Sequence, residues 1–427
     1  VCLGLGGYSF GGCVCFCLSG MLAGIVGMLG HVGRMLRTVA VAVLLLCLLA
    51  VAAEFWLRGQ GLPIRTVSSQ ACDGLQGLLI PSELFHHGLR PGIRSSVELV
   101  PGRATELVTG TGGLRGAQAL PEKSDNDYRV LMLGDELVLG AAVAEPSTLP
   151  QRLQQFLSRV TDMRLEVLNG GVPGDCPQLA LLRYRHQLRE LRPDLVILHV
   201  DMSDVGDDGV YRSLLAQGDG ASDSDGSAGA NASAGAGVVC RHPALRGASP
   251  ATAQSLQWLR DSALVGWMLS RLRQDGAEFL AIRAESCGQQ DYGWIMDHSE
   301  NLELQIRHAL APIAELRACV ESDGGQLLVT TCPVVWQVVD GNHCAQATRH
   351  CRIRGGTPFR SRLPFQSLSG VCTAAGVRFL DTSPRFLKDA EPGRLFDTEL
   401  PGLSERGLAF YARLIADYLI ADPPARW

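Results

Sequence analysis

Acidic and polar residues follow three short apolar runs of the chain, at the points where such runs would end as buried strands. These residues are Asp135 and Glu136 after 128–133, Asn169 to Gly174 after 164–168, and Asp201, Ser203 and Asp204 after 195–200. Carboxylates gathered in this way can accept hydrogen bonds from sugar hydroxyls, exchange protons with a substrate, or hold a cation. The alternatives are a solvated carboxylate for Glu136 and a solvated acidic loop for Asp201, Asp204, Asp207 and Asp208.

The elements that must position these residues are strands alternating with helices. The pattern predicts strands at 128–133, 164–168, 195–200, 326–330 and 377–380, and helices at 149–160, 178–191, 252–272, 296–320 and 408–419. This alternation indicates a three-layer α/β/α sandwich, in which helices cover both faces of a mainly parallel five-stranded sheet. Ligands of such sheets bind outside the carboxyl ends of the strands, where the acidic residues stand.

Four blocks at these positions together resemble the SGNH/GDSL hydrolases. Gly134-Asp135-Glu136 corresponds to Gly-Asp-Ser, and Asn169–Asp175 to the block whose last glycine donates to the oxyanion. Asp201–Asp204 corresponds to Gly-x-Asn-Asp, and Glu399–Gly402 to Asp-x-x-His. In addition to these four blocks, Gly113–Gly116 resembles a lead-in of membrane-anchored bacterial members. The resemblance implies a flavodoxin-like fold and an ester-hydrolase site at the strand ends.

The residues that carry the family's chemistry are replaced in this chain. Ester hydrolysis needs a nucleophilic serine, a histidine base oriented by aspartate, and preorganised oxyanion donors. Glu136 stands for the serine, Ser203 for the asparagine donor, Glu399 for the aspartate and Gly402 for the histidine. The backbone N–H groups of residue 136 and Gly174 remain as donors, so the resemblance implies that no catalytic residue is intact.

We therefore expect a non-catalytic protein whose pocket contains Glu136, Gly174 and Ser203, with Asp135, Asp201 and Asp204 as binding candidates. It would serve as a binding or scaffold module of the cell envelope, for a glycan or an acylated ligand. Two alternatives remain open. One is an active esterase or O-acyltransferase on acylated glycans or lipids, which uses other residues, and the other is a structural subunit of a membrane assembly.

The N-terminal region predicts export and attachment to a membrane. Residues 1–34 form an apolar leader rich in glycine and cysteine, with Met21, Met28 and Met35 as alternative starts. Residues 35–58 contain an uncharged run preceded by Arg34 and Arg37, which predicts a transmembrane signal-anchor that holds the body outside the cytoplasm and contacts membrane lipid. The alternative is a signal peptide cleaved after residues 51–53. We expect a loop-rich lead-in at 59–127, the hydrolase-like domain at 128–422, and a disordered insertion at 216–237.

The net charge, the remaining histidines and the cysteines indicate which binding partners and metal sites to expect. The net charge is −5 and no basic block stands out, which argues against nucleic acid. We expect no cofactor and no metal. A Cys344–Cys351 disulfide is favoured over a zinc site with His343 and His350. The pattern also predicts a core position for His199 and a surface position for His86 and His87.

Overall fold

The computed structural model describes most of the chain from residue 65 onward. The described residues are 65–68, 75, 77–100, 102–110, 112–116, 122–212, 214–217, 238–242, 294–295, 302–339, 359 and 361–427, with Leu45 and Leu49. Residues 64–257 and 273–427 form one compact unit, and residues 1–63 and 258–272 form another, in which Leu45 and Leu49 are exposed helical residues.

Several predicted features lie outside the described residues. They are the leader, the signal-anchor apart from Leu45 and Leu49, the helix at 252–272, and the cysteines and histidines at 343–351. Within the described part of the chain, no helix has the length and apolar character needed to cross a membrane. Residues 216 and 217, expected at the start of the insertion, belong to a short strand instead.

From residue 127 onward, the described elements mainly alternate between strand and helix, as the sequence predicts. The strands are β1 Arg65–Ser68, β2 Leu79–Pro81, β3 His87–Leu89, β4 Arg94–Val100, β5 Arg103–Val108, β6 Asp127–Gly134, β7 Arg164–Gly171, β8 Leu195–His199, β9 Leu215–Gln217, β10 Val238–Cys240, β11 Gln326–Thr331 and β12 Arg378–Asp381. The α-helices are α1 Glu136–Leu139, α2 Leu149–Leu157, α3 Pro177–Arg183, α4 Asp204–Arg212, α5 Leu302–Leu310, α6 Pro312–Ser322, α7 Val335–Val338, α8 Leu363–Ala375, α9 Ser383–Leu387 and α10 Glu405–Ala421.

A five-stranded parallel sheet lies at the centre of the domain. Its strand order is β12-β11-β8-β6-β7, which in chain order is 2-1-3-4-5, the order of flavodoxin-like folds. Every residue of β6 and β8 is buried, which explains why both strands read as continuous apolar runs rather than alternating ones. The predicted α/β fold with five parallel strands at these positions is confirmed.

The helices pack on the sheet in two groups. Helix α2 contacts α10 and β7, whereas α3 contacts α5 and α6. Helix α2 buries Leu149, Leu153 and Leu157, which are spaced by four residues and so lie on one face. The predicted helix at 178–191 continues past α3 as a π-helical turn, Tyr184–Leu188, and a 3₁₀ turn, Arg189–Leu191.

The lead-in differs from the loop-rich segment that we expected. Strand β4 pairs in parallel with β1 and antiparallel with β5, and β2 pairs antiparallel with β3. A small core forms between this region and the turns after β6 and β7, and it includes Leu78, Leu89, Val97, Leu107, Leu139 and Val172. The strands escaped prediction because they are short and place few large apolar residues on their single buried face.

Candidate functional site

The turn after β6 fixes Glu136 at the carboxyl edge of the sheet. Gly134 has φ +151°, and a Cβ there would lie 2.7 Å from Val138 Cγ2, so the turn requires glycine. The Asp135 carboxylate caps α1 by accepting a hydrogen bond from the Leu137 N–H at 3.2 Å. Glu136 is therefore the first residue of α1, at the position that the resemblance assigns to a nucleophile.

The Glu136 carboxylate faces the backbone donors that an oxyanion would use. Burial raises the pKa of Glu136, and interactions with its own N–H and with the N–H of Gly174 oppose that rise. Its Oε2 atom is buried and has no hydrogen-bond partner among the described residues. Glu136 is thus a partly buried carboxylate in contact with the site's backbone donors, and the interpretation as a fully solvated side chain is wrong.

The turn after β7 presents Gly174 by means of close contacts with α1. A Cβ on Gly171 would lie 2.1 Å from Leu139 N, so only glycine allows α1 to pass this closely. Gly174 has φ +68°. The next residue, Asp175, forms a buried ion pair with Arg183 at 2.6 Å. Burial raises the pKa of Asp175 to about 6, and Arg183 opposes the rise.

The third block forms a buried chain of polar contacts. Asp201 Oδ1 accepts hydrogen bonds from the Ser203 N–H at 2.9 Å and the Ser203 hydroxyl at 3.1 Å. His199 Nε2 lies 3.8 Å from Asp201 Oδ2, and its Nδ1 bonds the Tyr411 hydroxyl at 2.9 Å. Tyr411 in turn bonds Thr330 Oγ1 at 2.8 Å. The core position predicted for His199 agrees with its burial, but the sequence did not single out Tyr411.

The acidic residues of this block are buried, so the expected solvated loop is wrong. Burial raises the pKa of Asp135 well above its usual value, and Asp201, Glu136 and Asp204 raise it further. Burial and Asp201 likewise raise the pKa of Asp204. Burial would also raise the pKa of Asp201, but contacts with His199 and Ser203 hold it below its usual value.

Asp207 and Asp208 lie on helix α4 and not in a loop. Both are buried, and Asp208 forms an i,i+4 ion pair with Arg212. Within the described part of the chain, the residues that could hold a cation are Asp135, His199 and Asp201, because one ligand atom from each lies within 4.8 Å of the others.

The fourth block forms a turn that leads into α10. The Ser404 hydroxyl caps α10 by accepting from the Gly407 N–H, and a Cβ on Gly407 would lie 1.9 Å from Leu395 O. These contacts explain why a serine at 404 and a glycine at 407 begin this helix. A Cβ on Gly402 would meet no atom within 4 Å, and Glu399 donates its N–H to Asp397 Oδ1. The position that the resemblance assigns to the base therefore has room for a side chain but contains none.

The predicted surface position of His86 and His87 is wrong, since both are buried. A hydrogen bond joins their Nδ1 atoms at 2.7 Å, and His87 Nε2 bonds Pro173 O beside Gly174 at 2.7 Å. The His86 ring packs on Tyr211 and His242. Burial, with repulsion from neighbouring histidines, lowers the pKa of His86 to about 2 and that of His87, near Arg183, to about 4. These histidines are therefore neutral at physiological pH.

A groove of about 650 Å³ opens elsewhere, between the lead-in and the loop after α1. It is lined in part by Arg94, Arg103, Glu145 and Glu405. The strand-end residues Glu136, Gly174 and Ser203 do not line it. The candidate site predicted from the sequence is therefore separate from this groove.

The chain is similar to several solved structures of lipases, acylhydrolases and esterases. The chain is similar to the lipase/acylhydrolase from Enterococcus faecalis, with 10% identity over 70% of this chain and 100% of that one, at a TM-score of 0.37. It is similar to a GDSL-like lipase from Bacteroides thetaiotaomicron, with 10% identity over 71% and 93% of the two chains, at a TM-score of 0.34.

A third similar structure is an acetylxylan esterase from Geobacillus stearothermophilus, with 11% identity over 68% of this chain and 93% of that one, at a TM-score of 0.33. No protein-family model matches the chain, and the comparison with curated protein sequences gives no match. The strand order of this chain shows a flavodoxin-like fold, and the blocks that resemble the SGNH hydrolases stand mainly at its strand ends.

Proposed function

We propose that this protein binds a polar ligand at the carboxyl edge of its sheet and does not hydrolyse it. The observation that carries the proposal is the Glu136 carboxylate at the nucleophile position, where it begins α1 with its Oε2 atom buried. A carboxylate attacks an ester poorly, and its charge repels an oxyanion that would form beside it. The same carboxylate can accept hydrogen bonds from the hydroxyl groups of a ligand.

The order of the buried polar contacts also supports a non-hydrolytic pocket. A catalytic triad requires the histidine between the serine and the acid, so that it can take the serine proton. Here Asp201 lies between Ser203 and His199, since both contact its carboxylate. Among the described hydrogen bonds, none joins Ser203 to a histidine. The Ser203 hydroxyl is therefore held by an acid and is not activated by a base.

A glycan or an acylated glycan is the ligand class that we propose for this pocket. Sugar hydroxyls pair with carboxylate and backbone groups of the kind that meet at Glu136 and Gly174. The alternative of an active esterase or O-acyltransferase would need a base beside the bound ester, such as His343 or His350, which lie outside the described residues.

We further propose that the body is held at the outer side of a membrane by residues 35–58. Arg34 and Arg37 precede the uncharged run, and Trp56 stands near its end as an interfacial residue would. Protease treatment of intact cells should degrade the body and leave a short membrane fragment. Recovery of the whole chain in the supernatant of washed, lysed cells would contradict this part of the proposal. A larger membrane assembly would appear as co-purification of a stoichiometric membrane partner.

Ligand binding can be tested with the full chain in detergent against acetylated and deacetylated xylo-oligosaccharides. We expect saturable binding, unchanged ligand after overnight incubation, and at least ~10-fold weaker binding by Glu136→Ala, because roughly 1.4 kcal/mol corresponds to tenfold. Glu303→Ala is the matched control, since the Glu303 side chain is 91% exposed on α5. Equal binding by both variants would refute a pocket at Glu136, and release of acetate by the wild type would refute the absence of hydrolysis.

A further inference from the structure

The innermost part of the site contains an acidic cluster that also includes a histidine. Asp135, Asp201 and Asp204 are each buried, and each influences the charge state of another member of the cluster. One ligand atom from each of Asp135, His199 and Asp201 lies within 4.8 Å of the other two. Carboxylates confined together out of water repel one another unless protons or a cation compensate their charge.

The second observation is the unpaired ring nitrogen of His199. The His199 side chain is 0% exposed, and its Nε2 atom has no hydrogen-bond partner among the described residues. The nearest carboxylate oxygen, Asp201 Oδ2, lies 3.8 Å away, which is too far for a hydrogen bond. Leaving a buried polar atom unpaired is costly, so this nitrogen points to a group that it would bind.

The other ring nitrogen is already oriented. The Tyr411 hydroxyl can accept a hydrogen bond from His199 Nδ1–H while it donates one to Thr330 Oγ1, at 2.9 and 2.8 Å. A bound metal would select this tautomer, in which Nε2 carries the lone pair and lies 3.8 Å from Asp201 Oδ2. Histidines that bind metals are commonly held by such a partner on the second nitrogen.

We propose that Asp135, His199 and Asp201 bind one divalent transition-metal ion, and that Zn²⁺ is the ion this donor set fits best. One imidazole and two carboxylates form a mixed nitrogen and oxygen set, whereas Ca²⁺ and Mg²⁺ prefer oxygen alone. Zn²⁺ bonds of about 2.0–2.2 Å require the donors to approach to about 3.3 Å from one another, which small side-chain rotations supply. This site does not depend on whether the pocket binds a glycan.

The test is a metal titration of the full chain after treatment with a chelator. Calorimetry with Zn²⁺ should show one site that Mg²⁺ does not fill. His199→Gln and Asp135→Asn should each weaken it at least ~100-fold, while Tyr411→Phe should weaken it about 10- to 100-fold through the loss of the orienting contact. Asp135→Asn retains an N-cap residue for α1, so it should fold even where His199→Gln does not.

The control addresses the other residues that could bind zinc. The double variant Cys344→Ser/Cys351→Ser should keep the site, and Co²⁺ bound to the wild type should lack the intense thiolate-to-metal band. Folding of every variant is checked by circular dichroism. The proposal is overturned if the wild type binds no Zn²⁺, if Asp135→Asn binds it as the wild type does, or if the double cysteine variant loses it.

Discussion

Replacement of Arg115 by methionine should destabilise the protein, because Arg115 joins the lead-in to the loop that follows helix α1. The Arg115 side chain is 0% exposed, and its guanidinium pairs with Glu145 at 2.7 Å. It also donates to the carbonyl oxygens of Leu139, Gly140 and Val143. Methionine fills a similar volume but donates no hydrogen bond, so the substitution removes these contacts without leaving a large cavity.

The size of the destabilisation depends on which hydrogen bonds each carbonyl acceptor keeps after the substitution. Leu139 O keeps a bond from Asn169 Nδ2 at 3.3 Å, and Gly140 O keeps the Val143 N–H at 3.0 Å. Val143 O loses its described partner, at a cost of roughly 1–3 kcal/mol. The ion pair with Glu145, which is 33% exposed, adds about 1 kcal/mol at most. We expect the free energy of unfolding to fall by roughly 3 kcal/mol in total.

The assay is urea unfolding followed by tryptophan fluorescence and circular dichroism. The matched control is Arg94→Met, because Arg94 also pairs with a glutamate in the lead-in but is 53% exposed, and its loss should change the stability by less than ~1 kcal/mol. A fall of less than ~1 kcal/mol for Arg115→Met, or equal effects for the two variants, would refute the view that buried Arg115 bonds hold the lead-in to the site loop.

Three further changes test other parts of the structure. Because His86 and His87 have lowered pKa values, the folded state rejects protons that the unfolded state binds, so stability present above pH 6.5 is lost as pH falls toward 4. Each histidine should lower the free energy of unfolding by roughly 2 kcal/mol as the pH falls from 6.5 to 5. Asparagine tolerates the positive φ of residue 86, so His86→Asn should fold and should reduce the slope of Tm against pH. An unchanged slope would refute this reasoning. Gly171→Ala should lower Tm strongly because its Cβ would clash with Leu139 N, whereas Gly370→Ala on α8 should raise it slightly, and similar shifts would contradict the close contact. Gly402→His should leave Tm within about 2 °C, since nothing lies within 4 Å, and a larger fall would show that the turn needs glycine.

The central sheet was predictable because its strands have a local signature. Strands β6 and β8 are buried on both faces and therefore appear as uninterrupted apolar runs. The lead-in strands have no such signature, since β4 and β5 bury alternate residues such as Ser95 and Thr105, which are small and polar. A pattern of this kind does not distinguish an irregular loop from a strand with one buried face.

The sequence predicted those parts of the candidate site that depend on residues close together in the chain. Glu136 and Gly174 occupy turns whose geometry is set by neighbouring glycines, so their places follow from the sequence blocks. The contact between His199 and Tyr411 joins residues 212 positions apart, and no local pattern indicates it. The burial of His86 likewise depends on Tyr211 and on other distant residues.

The most direct test of the proposed function is the hydrolysis of p-nitrophenyl acetate by the full chain, compared with Glu136→Ala and with Glu136→Ser/Gly402→His. The loss of a nucleophile or base typically costs on the order of 10⁶ in rate, so the wild type and Glu136→Ala should both match the buffer. The restored pair should exceed them if the fold keeps its oxyanion donors. Wild-type turnover that survives Glu136→Ala, or that disappears in it, would contradict a non-hydrolytic pocket, and in the second case would make Glu136 catalytic.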